Sequence, residues 1–237
     1  MRSILFILFA LFAFNNSAQA QLDEIIVTTK DRDEIPGIVL VKKGDFLFLE
    51  IRIENDTLET ELRGREFNQT LANIFAAARE AEDIELSVES DDVVLPLTEK
   101  NRKYRLFEGS CGRGNNTCAS MLLKTPIPKG KIDPETLSTR LEAFADGIEK
   151  IGRTSIIQSS NVGISVVNIN QHRAELISLI MEEINTIKES LGEGHKVKLE
   201  GVHKKVDFSR SGLLDVALYI PYEYTVLPDV RYSEIED

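Results

Sequence analysis

Two cysteines, three histidines and several carboxylate runs are the side chains in this sequence whose types invite chemistry. Cys111 and Cys118 stand in the stretch Gly109-Ser110-Cys111-Gly112-Arg113-Gly114-Asn115-Asn116-Thr117-Cys118. Their spacing is wider than the Cys-x-x-Cys of a redox pair, and no histidine lies nearby to complete a metal site. The glycines and asparagines between them supply the positive φ that a tight loop requires, so the pair reads as a structural disulfide. Lys103–Phe107 and Ala119–Lys124 read as strands on either side, which makes the bridge a staple at the end of a hairpin. A short loop of this kind contributes ~2–3 kcal/mol through the unfolded state. His172, His195 and His203 form no His-x-x-x-His or Glu-x-x-His pair, so they assemble no metal ligand set. No Gly-x-Ser-x-Gly elbow is present, and Ser209-Arg210-Ser211-Gly212 reads as a turn between strands. Gly109–Gly114 lacks the lysine and following helix of a phosphate loop. The runs Glu80/Glu82/Asp83 and Glu89/Asp91/Asp92 lack the alternation and glycine of a calcium loop and read as solvated charge. These residues therefore assign no catalytic, cofactor-binding or metal-binding site and point to a non-enzymatic protein, with a hydrolase of unrecognised site as an alternative.

The elements that must position any site alternate between strand and helix. Leu47, Leu49, Ile51 and Ile53 alternate with Phe48, Glu50 and Arg52, the period of a half-buried strand. Asp56 with Glu59 makes a capping box, predicting a helix to about Glu80 with Phe67, Leu71, Ile74, Phe75 and Ala78 on one face. Strands follow at Ile84–Val88 and Val93–Leu97. Asp133-Pro134 is a helix start, carrying Leu137, Leu141, Phe144, Ala145 and Ile148 inward. Gly163–Ile169 is β-branched and reads as a strand. Ile177, Ile180, Met181, Ile184, Ile187 and Leu191 then form an apolar stripe, closed by Gly192 and Gly194. Lys196–Val202 and Leu213–Val226 finish the domain, and Pro221 requires the last strand to bulge or lie at an edge. The predicted fold is α+β, antiparallel sheets with helices packed on one face, in two interlocked β-α-β-β halves. Residues 37–228 form the domain, with an internal boundary near 126–133 marked by Pro126, Pro128 and Gly130, and an acidic tail at 229–237.

The N-terminus carries an address. Arg2, an apolar run from Ile4 to Phe14 and the ending Ala18-Gln19-Ala20 form a signal-peptide pattern at 1–20, too short for a membrane span of ~20 residues. Export to the periplasm or beyond, with cleavage after Ala20, is the expectation, leaving an extended segment at 21–36. With 42% hydrophobic and 28% charged residues the chain suits a globular domain. Arg2 is the sole charged side chain of the leader, so its loss takes the net charge from −11 to −12. A surface this acidic repels phosphate backbones and anionic lipid, which excludes nucleic acid as a natural partner. No cofactor is called for, no transmembrane segment follows the leader, and a protein partner or self-association remains.

Two resemblances bear on function. The turn Gly44-Asp45, the strand Phe46–Glu54 and the helix from Thr57-Leu58-Glu59 to Ala78, with Asn68, Ala72, Asn73, Ala76 and Ala77 near its middle, resemble the SIMPL-domain family. His172-Arg173-Ala174-Glu175 through Gly192, Lys196–Gly201 and Leu213–Val226 extend the resemblance over roughly residues 38 to 227. The second helix is richer in isoleucine and glutamate than is usual there, and the cysteine loop is not a family feature. That resemblance implies an exported, periplasmic or surface-associated non-enzymatic protein, often oligomeric and sometimes linked to envelope stress. Separately, Leu22-Asp23-Glu24-Ile25-Ile26-Val27-Thr28-Thr29 is similar to the energy-coupling box of TonB-dependent receptors, an extended segment that adds a strand to its partner's sheet. The similarity implies contact with TonB by an accessory protein. The chain has no barrel of aromatic-girdled membrane strands to go with it, and the same residues also suit an ordinary first strand.

Overall fold

A computed structural model describes residues 24–27, 35–90, 93–106, 108–111, 116–158 and 161–229. The leader, the tail beyond 229, and Leu22, Asp23, Thr28 and Thr29 lie outside the described residues. The chain opens with β1 (Glu24–Val27), β2 (Leu40–Lys43) and β3 (Phe46–Asn55), then α1 (Thr60–Glu80). A hairpin of β4 (Glu85–Ser90) and β5 (Val93–Pro96) leads to the short helix α2 (Arg102–Arg105), β6 (Gly109–Ser110) and β7 (Thr117–Pro126). After α3 (Pro134–Gly147) come β8 (Thr154–Gln158), β9 (Gly163–Val167) and α4 (Arg173–Leu191). The last strands are β10 (His195–Glu200), β11 (Asp207–Arg210), β12 (Asp215–Tyr219) and β13 (Glu223–Pro228).

The predicted α+β architecture with antiparallel sheets is what the chain adopts, and β3 is its spine. It pairs along its whole length with β7, from Phe46↔Pro126 to Asn55↔Thr117. Its other edge is shared end to end by β8, opposite Ile51–Asn55, and β9, opposite Phe46–Phe48. The resulting sheet runs β1-β9-β3-β7-β4-β5. Strands from both sides of the 126–133 passage therefore bond to β3. Alternation sends Leu47, Leu49, Ile51 and Ile53 to one face, where they meet Phe67, Leu71 and Ile74 of α1 and Leu137, Leu141 and Phe144 of α3. The end strands β1 and β5 touch, so the sheet curls around its other face. There Ile26, Phe48, Val94 and Leu122 make a second, smaller core.

Several local expectations change. The N-cap of α1 is Glu59 and receives no side-chain bond, because Asp56 is drawn away to Arg153 instead of closing a capping box. Lys103–Phe107 is not a strand: Arg102–Arg105 is helical, started by a turn in which the Asn101 side chain accepts from the Thr98 N–H. The hairpin reaching Cys118 is made by Gly109–Ser110 instead. Ser209-Arg210 belongs to β11, which joins β12 and β2 in a three-stranded sheet. Leu213–Val226 is two strands in two sheets, broken at Pro221, which offers no N–H to a ladder. Gly201 lies against that break at φ 83°, where a Cβ would come within 2.6 Å of the Pro221 carbonyl. In α4, Ile180 and Ile184 are buried as the stripe requires, but Leu176 joins them and Met181 turns outward at 41% exposure. That helix packs on β10, while Leu214, Val216, Leu218 and Ile220 complete the same core.

Candidate functional site

The C-terminal turns of α1 lie beside the β4–β5 hairpin. The helix ends where the Ala81 N–H returns to the Ala77 carbonyl, and the Ile84 N–H to Ala81 turns the chain straight into β4. Leu97 continues the hairpin by donating to the Leu86 carbonyl. Between these elements lies a cleft of about 390 Å³. Phe75, Ile84, Leu86 and Leu97 form its floor, and Ala78 and Pro96 its walls. Its rim is polar: Thr98, Glu85, and an Arg79–Glu99 ion pair at 3.4 Å. An apolar concavity of a few hundred Å³ with a few polar groups at its mouth is the form a binding site takes.

A polar junction stands at the other end of α1. The Glu66 carboxylate accepts from Asn55 Nδ2 (3.0 Å), Thr57 Oγ1 (2.5 Å) and the Arg153 N–H (3.3 Å). The Asn55 and Thr57 bonds hold its pKa below the ordinary value. Arg153 in turn grips Asp56 through both guanidinium arms, at 2.7 and 2.6 Å, and lowers that carboxyl's pKa as well. Gly152, at φ 59°, leaves room for the carboxylate, since a Cβ there would lie 2.1 Å from it. Arg63, only 6% exposed, donates to the Thr57 carbonyl and to the hydroxyls of Thr60 and Thr117. Both carboxylates are ionised at neutral pH and engaged by their neighbours, so they tie α1 to β3 and β8 rather than hold a proton for transfer.

A third cluster lies on the curled face of the large sheet. Lys124 reaches Glu24, which also accepts from Ser165 Oγ at 2.5 Å, and its ammonium lies 4.1 Å from the centre of the Phe46 ring. Lys124 and Ser165 are buried, so the group fastens β1 across the sheet. No family model, curated protein or solved structure matches this chain.

The residues singled out by sequence are not gathered into one place. Cys111 and Cys118 lie at disulfide distance, with Cα atoms 5.9 Å apart, where β6 meets β7. A smaller opening of about 260 Å³ adjoins them, lined by Val88, Glu89, Arg105, Gly109, Cys118, Ala119 and Ser120. Of the segment similar to a TonB box, Glu24, Ile25, Ile26 and Val27 pair with Val167 through Ile164 of β9, so their backbone is engaged within this chain's own sheet. His172 stands 3.6 Å from Glu175, and Asp83 is held by both arms of Arg140. Among the described residues no three His, Cys, Asp or Glu side chains converge as a metal site. No helix among them is long and apolar enough to cross a membrane. The cleft escaped the sequence reading because it arises between two ordinary amphipathic elements. Lys124, a charge directly after the apolar run Met121-Leu122-Leu123 and at a position facing the sheet's inner side, was the signal for the buried pair.

Proposed function

We propose that the chain is an exported, non-enzymatic binding protein that takes an apolar segment of a partner protein into the cleft between α1 and the β4–β5 hairpin. The cleft carries this reading: its floor of Phe75, Ile84, Leu86 and Leu97 offers apolar surface at an opening, and Arg79 and Glu99 at its mouth can orient a polar backbone. The engagement of Glu66 and Asp56 by structural partners supports a role without catalysis. The signal-peptide pattern and the resemblance of the sequence to SIMPL-domain proteins support work in the bacterial envelope, by interaction or assembly and in envelope stress. A random peptide library panned on the folded protein tests the binding role. Enrichment of sequences with two or more neighbouring apolar residues is expected, and Ala78→Phe, which fills the cleft from its α1 wall, should abolish it. The variant's urea midpoint checks that the fold survives. Equal enrichment on both proteins would place binding elsewhere.

A further inference from the structure

The ribbon of β10 and β13 stands apart from the larger sheets. One edge of β13 pairs with β10, and among the described residues no strand pairs with the other. All of β13 is exposed, including Tyr224 at 45% and Val226 at 38%. The register fixes where its backbone points. His195 faces Pro228, so Gly194 faces Asp229, and the Asp229 N–H donates to the Gly194 carbonyl at 2.7 Å. Hydrogen-bonded pairs alternate along an antiparallel ladder, so Leu227, Thr225 and Glu223 turn their N–H and C=O groups toward β10. Tyr224 and Val226 turn theirs to solvent. The unpaired backbone thus belongs to Tyr224 and Val226, whose side chains are exposed, as is that of Leu227 at 44%.

We propose that β13 pairs antiparallel with β13 of a second copy of this chain, about a two-fold axis at Thr225. In this register Tyr224 lies opposite the partner's Val226, and Val226 opposite the partner's Tyr224, each pair exchanging both backbone hydrogen bonds. Glu223 falls opposite Leu227, so no like charges meet. The side chains of Tyr224 and Val226 stay on the face of Leu199 and Val197, which lie opposite them on β10 and pack against the core. Other centres fit less well. An axis at Val226 would set Tyr224 against Pro228, which has no N–H, and Glu223 against Asp229, carboxylate on carboxylate. An axis at Tyr224 would draw in Pro221 and Tyr222, although the Tyr222 hydroxyl is already bonded to Glu183 outside the strand. The order Tyr-Thr-Val between Pro221 and Pro228 is a short, symmetric edge. A longer strand from elsewhere would gain nothing past those prolines, whereas a second β13 matches it end for end.

Cross-linking tests the pairing. Thr225 would face its own copy as a non-hydrogen-bonded pair, with Cα atoms ~4.5 Å apart, inside the range a disulfide spans. Thr225→Cys should therefore form a covalent dimer without reductant, the bond mapping by mass to residue 225, whereas Glu223→Cys should not. Val226→Pro removes an N–H that β10 does not use, so its urea midpoint should stay while light scattering shows dimer affinity reduced at least ~10-fold. Each copy carries a net charge of −11, so association should also strengthen with added salt. A wild-type chain that stays monomeric at all concentrations would overturn the proposal, as would dimerisation that Val226→Pro leaves unchanged or a Thr225→Cys protein that dimerises without cross-linking. Ala78→Phe, on a separate surface, should leave the dimer intact, so the two readings fail independently.

Discussion

Replacing Glu24 by alanine probes how the N-terminal strand is held. The side chains of Lys124 and Glu24 are 4% and 11% exposed. Removing the carboxylate leaves an ammonium out of water with the Phe46 ring as its remaining charge-stabilising neighbour, and takes away the acceptor of Ser165. Breaking a buried pair from one side costs ~3–5 kcal/mol, and the retained ring contact, worth ~2, holds the loss toward the lower end. The chain has an escape: β1 can leave β9 and let water reach Lys124. That release gives up the burial of Val27 and part of Ile26, at ~1.5–3 kcal/mol for a fully buried side chain, so the loss is capped near the same size. The expected outcome of Glu24→Ala is ~3 kcal/mol by urea denaturation, or a fall in Tm of ~6–12 °C for a domain of this size. Amide exchange at Ile164–Val167 should quicken with it. The double change Glu24→Leu with Lys124→Met removes both charges and should cost under ~1 kcal/mol or even stabilise. A single change costing under ~1 kcal/mol with β9 still protected would refute the reasoning. So would a double change as damaging as the single one.

Two further outcomes follow from burial and charge. Ile184→Ala should cost ~2–5 kcal/mol in urea denaturation, against under ~0.5 for Met181→Ala on the outer side of the same helix, and similar losses at both would mean the buried face of α4 is misassigned. Glu66 has a folded pKa below its ordinary 4.5, so it contributes stability above that pH and loses it as pH falls through the folded value. The stability gap between wild type and Glu66→Gln should be widest near neutrality and close in acid, as read from chemical denaturation across pH; a gap independent of pH would remove ionisation from the account.

Long elements with a strong period were legible: β3, α1, α3 and α4 stand where their apolar spacing placed them. Short edge strands were not. Leu40–Lys43 and Asp207–Arg210 carry charge at alternate or terminal positions and are strands because β12 lies between them. Thr154–Gln158 has no strong pattern of its own and is set by the free edge of β3. Leu213–Val226 showed the opposite error, since its alternation runs on past Pro221 although the ladder cannot. Pairing between distant residues left a fainter trace: Lys124 at the end of an apolar run demanded a partner, but nothing local pointed to Glu24. The cleft left none, for no residue type marks a gap between a helix and a hairpin.

The pairing of β1 with β9 also sets a clock. Ser165 and Glu24 are 141 positions apart in the chain, and among the described residues the ladder of β1 is with β9. Synthesis at ~5–20 residues per second makes the first strand wait roughly 7–28 s before its ladder partner exists. During that interval Ile25, Ile26 and Val27 are an uncovered β-branched segment on a nascent chain, exposed to whatever holds unfolded polypeptide. The first of the described strands cannot close until Ile164–Val167 has been made.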